Sequence, residues 1–230
     1  MRSAVERPSI GSWLELAELA KACSDRTWIF RGEGRLGNPL KPVVGRESSV
    51  KGSPRKVPYA LEDEKRIFEQ FKQQARPHLL HVPQSDLEWL AVAQHHGLPT
   101  RLLDWTENIL AAAFFATQNA GVSGDALILG LQGLRVLRNT TSPFQLRSPG
   151  VFRPPHISPR IPAQRSVFTV HPNPTQEFRS PRLHRWTISS AACTEIKRVL
   201  DACAVNEGSL FPDIDGLSRN LAWRYKWGKP

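Results

Sequence analysis

The stretch Gln94-His95-His96-Gly97-Leu98-Pro99-Thr100-Arg101-Leu102-Leu103-Asp104-Trp105-Thr106 packs seven polar or charged side chains between two strongly apolar segments. Upstream, 86–96 reads as a helix with Asp86 as its cap and Leu87, Leu90 and Ala93 or Gln94 along one side; Gly97 suits the position just past its end. Downstream, 108–118 (Asn-Ile-Leu-Ala-Ala-Ala-Phe-Phe-Ala-Thr-Gln) is apolar on every side and reads as a buried helix. Polar residues this dense between two buried helices are unusual for plain scaffold. His95 or His96 could act as a general base or as a phosphate donor; adjacent residues point to different sides of a helix, so one of the two at most faces a cleft. His96 is the one assigned here to that face. Asp104 has two readings, a catalytic carboxylate or a cap for the following helix.

Working outward, 9–23 reads as a first helix, capped by Ser9 or Ser12, with Trp13, Leu16, Leu19 and Ala20 on one face. Thr27-Trp28-Ile29-Phe30 is β-branched and aromatic and predicts a strand that ends in a tight turn at Arg31-Gly32. Residues 32–58 hold five glycines and four prolines, with a basic run from Lys51 to Lys56, and predict an exposed, mobile loop. A helix follows over 61–75, with Glu62, Asp63 and Glu64 in its first turn where carboxylates suit the helix dipole. Strands are expected over 125–131, 167–170 and 186–188, helices over 194–204 and 217–226, and a second long loop over 139–162, which has five prolines from Pro149 to Pro162. Helices and strands do not alternate regularly. The fold class is therefore α+β: one domain, with a small mixed or split β-sheet flanked by helices. The divisions are 1–23 as an N-terminal helix, 24–220 as the main domain and 221–230 as a basic C-terminal tail.

The chain has 230 residues, seven Trp, ten Phe and a net charge of +10. The size suits one domain, and the charge draws polyanions, so nucleic acid or an acidic protein is an expected partner. A basic surface that merely keeps the chain dissolved is the alternative. Cys23, Cys193 and Cys203 are odd in number and widely spaced, which argues against a disulfide framework or a zinc knuckle. No apolar run reaches membrane-spanning length and no signal-peptide pattern opens the chain, so a cytoplasmic protein without a membrane partner is expected. There is no P-loop, G-x-G-x-x-G, G-x-S-x-G or H-E-x-x-H, which argues against the commonest ATPases, dehydrogenases, hydrolases and metalloproteases. No metal is expected, His78 and His81 being the candidates weighed beside the histidine pair.

Three more segments draw notice. Arg31, between Phe30 and Gly32, sets a planar five-donor fork beside backbone that can approach closely, as phosphate or ribose binding requires; equally it could pair with a carboxylate such as Asp104. Gln164, in Gln164-Arg165-Ser166-Val167-Phe168, could bond an amide or sugar hydroxyl, or tie down a loop. Asp213 and Asp215 could hold a cation with further ligands, or stabilise a turn.

Phe30-Arg31-Gly32, then Leu40-Lys41-Pro42-Val43-Val44-Gly45-Arg46, then 94–105 with the helix ending Phe114-Phe115-Ala116, then 160–168 and 210–217, resemble in that order the FRG family over roughly residues 24–220. That family's Q-x-G-x-F has Ser166 here in place of Gly; if that Gly has positive φ, the loop differs locally. The domain is frequent in bacterial and phage-related proteins, which implies a toxin or phage-defence setting and, with it, an antitoxin partner. Phe30-Arg31-Gly32 is also similar to the aromatic-Arg-Gly that opens the NAD site of ADP-ribosyltransferases, which bind NAD in the cleft of a split sheet. That resemblance implies NAD as cofactor and transfer of ADP-ribose to nucleic acid or protein. Arg31, His96, Asp104 and Gln164 would be the catalytic set, and Phe30, Arg31, Gly32, Thr100 and Arg101 the cofactor-binding one. Gln164 stands where a Glu would be expected, and Glu177 and Glu195 are the carboxylates nearby in sequence. The alternatives are a non-enzymatic module for nucleic acid or another anionic partner, and a metal-dependent nuclease using Asp104, Asp213 and Asp215.

Overall fold

The computed structural model describes residues 9–46, 48–49, 56–118 and 124–226. In chain order the elements are β1 (Ser9–Ile10), α1 (Trp13–Ala22), β2 (Ile29–Glu33), β3 (Ser48–Ser49), β4 (Lys56–Val57), α2 (Leu61–Ala75), α3 (Asp86–His95), β5 (Leu102–Thr106), α4 (Ile109–Thr117), β6 (Ala126–Leu131), β7 (Gly150–Phe152), α5 (Arg160–Gln164), β8 (Ser166–Val170), β9 (Leu183–Ile188), α6 (Ser190–Ala202), α7 (Glu207–Leu210) and α8 (Ile214–Lys226). Seven strands form one sheet in the order β1-β9-β6-β2-β5-β8-β7, and β3 and β4 form a separate small hairpin. β1 runs parallel to β9 and every other neighbouring pair in the large sheet is antiparallel, so the fold is α+β with a mixed sheet, as the irregular alternation implied.

The sheet is almost two sheets. β2 pairs with β6 over five residues, Ile29 to Glu33, and β5 pairs with β8 over five, Leu102 to Thr106. Between β2 and β5 the register holds only at Phe30 opposite Thr106. The helices divide the same way. Leu16, α4 and Ile196 of α6 pack on Phe30, Ile128 and Ile188. Phe68 of α2 and Leu87 and Leu90 of α3 pack on Leu102, Phe168 and Val170. The opposite face joins both halves through Ile29, Leu103, Trp105, Leu129 and Val167, covered by Leu40 and Phe178. Two helical layers on one face of a splayed sheet leave a trough between them, and its floor is the seam between β2 and β5.

Several elements start or stop for reasons the sequence had placed nearby. Ser12, not Ser9, caps α1, its hydroxyl accepting from the Glu15 amide; Ser9 lies in β1 instead. Ser85, rather than Asp86, caps α3. That helix ends at Gly97 with φ +87°, the Leu98 amide reaching the Ala93 carbonyl and the Gly97 amide that of Gln94, the paired bonds of a Schellman ending. Asn108 caps α4, so Asp104 is a strand residue and not a helix cap.

The larger corrections concern strands and loops. β2 continues through Arg31 and Gly32 to Glu33, where a turn was expected. Gly32 serves close packing: a Cβ there would lie 1.9 Å from the Ala112 carbonyl oxygen of α4. The 32–58 segment includes a 3-10 turn at Val43–Gly45 and the β3-β4 hairpin; residues 51–55 of the basic run lie outside the described residues. The expected loop over 139–162 contains β7, whose three residues pair with β8, and the start of α5. The N-terminal segment is no appendage, since β1 extends the main sheet and Leu16 is fully buried. Nor is 221–226 a tail, for α8 runs through it; residues 1–8 and 227–230 lie outside the described residues. Among the described residues no helix is long and apolar enough to cross a membrane.

Candidate functional site

The trough over the β2-β5 seam encloses a cleft of about 340 Å³. Arg31 and Gly32 of β2, Asp104 and Thr106 of β5, the Gln94-His95 end of α3 and Gln164 at the end of α5 all line it. Phe30, Phe115 and Phe211 give it apolar wall, and Gln118 and Arg160 stand on its other sides. Three of the four residues assigned to catalysis from sequence, Arg31, Asp104 and Gln164, thus converge, although 133 residues separate the first from the last.

Arg31 is held from two sides. Its Nε donates to Glu33 Oε1 at 2.6 Å and its Nη1 donates to the Asp104 backbone carbonyl at 2.8 Å. That second bond crosses the seam where strand pairing has stopped. The Asp104 carboxylate also stands 3.7 Å from Nη1. Of the two sequence readings of Arg31, the pairing with carboxylates is realised, and the side chain also lines the cleft. Its side chain is only 17% exposed, so the guanidinium is desolvated enough for charge to count.

Asp104 is oriented in turn. Gln94 Nε2 donates to Asp104 Oδ2 at 2.8 Å, and Thr100 Oγ1 donates to Gln94 Oε1 at 2.6 Å. The relay Thr100–Gln94–Asp104–Arg31–Glu33 fixes both charges of the seam. Asp104 keeps half of its side chain open, at 53% exposure, and so offers a carboxylate to whatever enters.

Gln164 ties its surroundings down, the second of the two roles proposed for it. Its Nε2 donates to the Leu210 carbonyl at 3.0 Å, tying α5 to α7. Its backbone carbonyl accepts from Thr106 Oγ1 at 2.7 Å, which locks the end of α5 to β5. With the amide nitrogen committed to Leu210, Oε1 is the end left to accept from a ligand, its nearest donor being Ser166 Oγ at 3.5 Å.

Three assigned residues fall outside the cleft. His96 is exposed at the cap of α3, and His95, one position earlier, is the histidine that lines the cleft. Burial holds the His95 imidazole down to about 4, helped by Arg160 and His96 and opposed by Asp104, so the ring is neutral at physiological pH. Its Nδ1 is buried without a hydrogen-bond partner, and the ring leans on Phe168 at 5.5 Å. Thr100 stands one step behind the cleft, as the donor to Gln94. Arg101 lies in the core: Nε and Nη2 grip Glu64 at 2.9 and 2.6 Å, Nη1 donates to the Pro143 carbonyl, and the guanidinium sits 4.4 Å from the Phe144 ring centre. At 1% exposure it cannot meet a cofactor.

Arg160 is the site residue the sequence reading passed over. Its Nη2 pairs with Asp213 at 2.7 Å, Nη1 donates to the His95 carbonyl, and its guanidinium stacks 5.4 Å from the Phe211 ring centre. The only advance signal was its place four residues before Gln164, one turn back on the same short helix. Glu177 pairs with Arg179 and Glu195 is exposed on α6; neither lines the cleft. Asp213 is committed to Arg160 and to the Gly216 amide, the turn-stabilising role. Among the described residues no three His, Cys, Asp or Glu side chains gather as a metal would need, and Asp104, Asp213 and Asp215 do not converge. Within 164–168 the positive φ belongs to Arg165, at 47°, while Ser166 is an ordinary strand residue.

Residues 26–124 match the model of the FRG domain, which takes in β2 through α4 and stops short of 160–168 and 210–217. No curated protein and no solved structure matches the chain.

Proposed function

From a chain that carries an FRG domain, we propose that the cleft over the β2-β5 seam is an NAD site and that the protein is an ADP-ribosyltransferase-like enzyme of a toxin or phage-defence setting. One observation carries the reading: Arg31, Asp104 and Gln164 meet in a single cleft at the split of a sheet. The donor set fits the dinucleotide. Arg31 and Arg160, each already held by a carboxylate, offer their remaining guanidinium N–H donors to a pyrophosphate, and Phe30, Phe115 and Phe211 offer apolar wall to a planar ring. Gln164 Oε1 and the Asp104 carboxylate accept hydrogen bonds from ribose hydroxyls. The volume lies at the lower end of small-molecule sites, so it suits one nucleoside half, with the rest reaching outward.

When bound, NAD supplies an ADP-ribosyl group whose bond to nicotinamide breaks with the electron pair leaving on the nicotinamide. Asp104 would supply the negative charge that Gln164 cannot offer to the positive character that develops on the ribose. Gln94 and Thr100 keep that carboxylate aimed. Neutral His95 lines the same cleft and would be one acceptor for the proton of an incoming nucleophile.

The test is incubation of the purified chain with NAD labelled in its adenylate half, with RNA, DNA or cell lysate as acceptor. Label transfer and nicotinamide release are expected, and both vanish in Arg31→Ala. A folded protein that releases no nicotinamide and transfers no label overturns the reading.

A further inference from the structure

From Ala126 to Gln176 the chain contains no Asp or Glu and no Lys, yet six arginines: Arg135, Arg138, Arg147, Arg153, Arg160 and Arg165. Two of them are neutralised, Arg153 by Glu107 and Arg160 by Asp213. Among the described residues Arg135, Arg138 and Arg147 have no ion-pair partner, and all three are exposed. Arg135 and Arg147 both line a second cavity of about 310 Å³, whose lining also includes Pro149, just before β7. Its other polar lining is Thr141, Ser142, Gln145 and Ser148.

We infer that this cavity and the arginines around it are a nucleic-acid surface, taking phosphates of an RNA or DNA backbone. The chemistry is specific in three ways. Guanidinium forks and hydroxyls are the donors that satisfy a phosphate's oxygens, and the cavity wall supplies both. The chain uses arginine without a single lysine through 51 residues, which favours forked contacts over diffuse charge. And the wall brings neither carboxylate nor aromatic ring, so it grips backbone and does not read or stack bases. A nucleic acid is favoured over an acidic peptide because the hydroxyls would find few matches on carboxylates spaced along a chain.

The surface also leads toward the cleft. β7 runs antiparallel to β8 with Phe152 opposite Phe168, so Arg153 carries the arginine series toward Ser166, the strand end that lines the cleft. Binding here does not depend on what the cleft holds, so the NAD reading can fail while this one stands, and the reverse.

The experiment is fluorescence anisotropy with the full chain and a fluorescein-labelled 20-nucleotide RNA, repeated with a DNA duplex, over a range of salt concentrations. R135Q/R147Q is expected to weaken binding by about tenfold and to reduce the slope of log affinity against log salt by about two. R66Q/R179Q removes the same charge from other exposed positions and is expected to change affinity by less than about twofold. Should the double variant melt early, the single variants R135Q and R147Q decide, each expected to lose part of the affinity. Absence of binding at physiological salt overturns the inference, as does equal loss in both pairs of variants. Tighter binding of a labelled polyglutamate than of RNA, lost in R135Q/R147Q, overturns it in favour of an acidic protein.

Discussion

At the scale of single residues, the sharpest constraint is at Gly32. A methyl group there would meet the backbone of α4 at Ala112 and Ala116, which cannot swing aside as a side chain would. Gly32→Ala is expected to cost about 3 kcal/mol or more, read as a fall in urea midpoint or as failure to fold. Arg165 is the converse case. It holds a left-handed φ of 47° with a side chain that gains nothing from it, so Arg165→Gly is expected to raise stability by up to about 1 kcal/mol. A melting temperature unchanged or lowered would refute that. These two residues show where sequence reading met its limit. A glycine after an arginine announces that backbone must pass close to something, and it was read as closeness to a ligand. What it approaches is a helix 80 residues further along the chain. The same limit chose the wrong histidine. α3 is buried on every side from Leu87 to Ala93, so helical periodicity could not tell His95 from His96.

At the scale of elements, the buried pair of Glu64 and Arg101 joins α2 to the residue just before β5. Tyr59 donates to Glu64 at 2.7 Å and completes the group. Arg101→Leu leaves the Glu64 carboxylate without its partner in the core and is expected to destabilise by about 3–5 kcal/mol, without any direct effect on ligand binding. Chemical denaturation measures the first part, and NAD titration of the folded fraction the second. If Arg101→Leu removed binding while leaving stability intact, the core role assigned here would be wrong. Helices were legible because caps and 3.6-residue periodicity are local properties; α2 was placed from its acidic first turn, the apolar face of Ile67, Phe68 and Phe71, and Pro77 beyond its end. β7 was not legible. Gly150-Val151-Phe152 sits among prolines and arginines, and what makes it a strand is β8 beside it, which no local pattern records.

At the scale of the whole molecule, pH acts on stability through a buried histidine. Burial, with Arg101 nearby, holds His171 down to about 4, against about 6.5 in an unfolded chain. Its Nε2 shares a hydrogen bond of 2.8 Å with Thr169, which in turn accepts from Trp105. Between those two values the unfolded chain binds the extra proton, so stability present above about pH 6.5 is lost as pH falls toward 4. The expected loss is about 2–3 kcal/mol from His171 by pH 4.5, seen by comparing urea unfolding at pH 7.5 and 4.5. His171→Gln should flatten the profile, and an unaltered slope would show that other groups set it.

The near-separation of the sheet has a further consequence for what counts as a unit in this protein. The stretch that matches the FRG-domain model, 26–124, holds one strand from each side of the seam. Excised, β2 would lose its five-residue partner β6 and β5 its five-residue partner β8, and the two would be left sharing one residue pair. The signature is thus a cross-section through two sub-assemblies and not a module that can be transplanted. What matches as one continuous passage is, mechanically, the two facing lips of a joint.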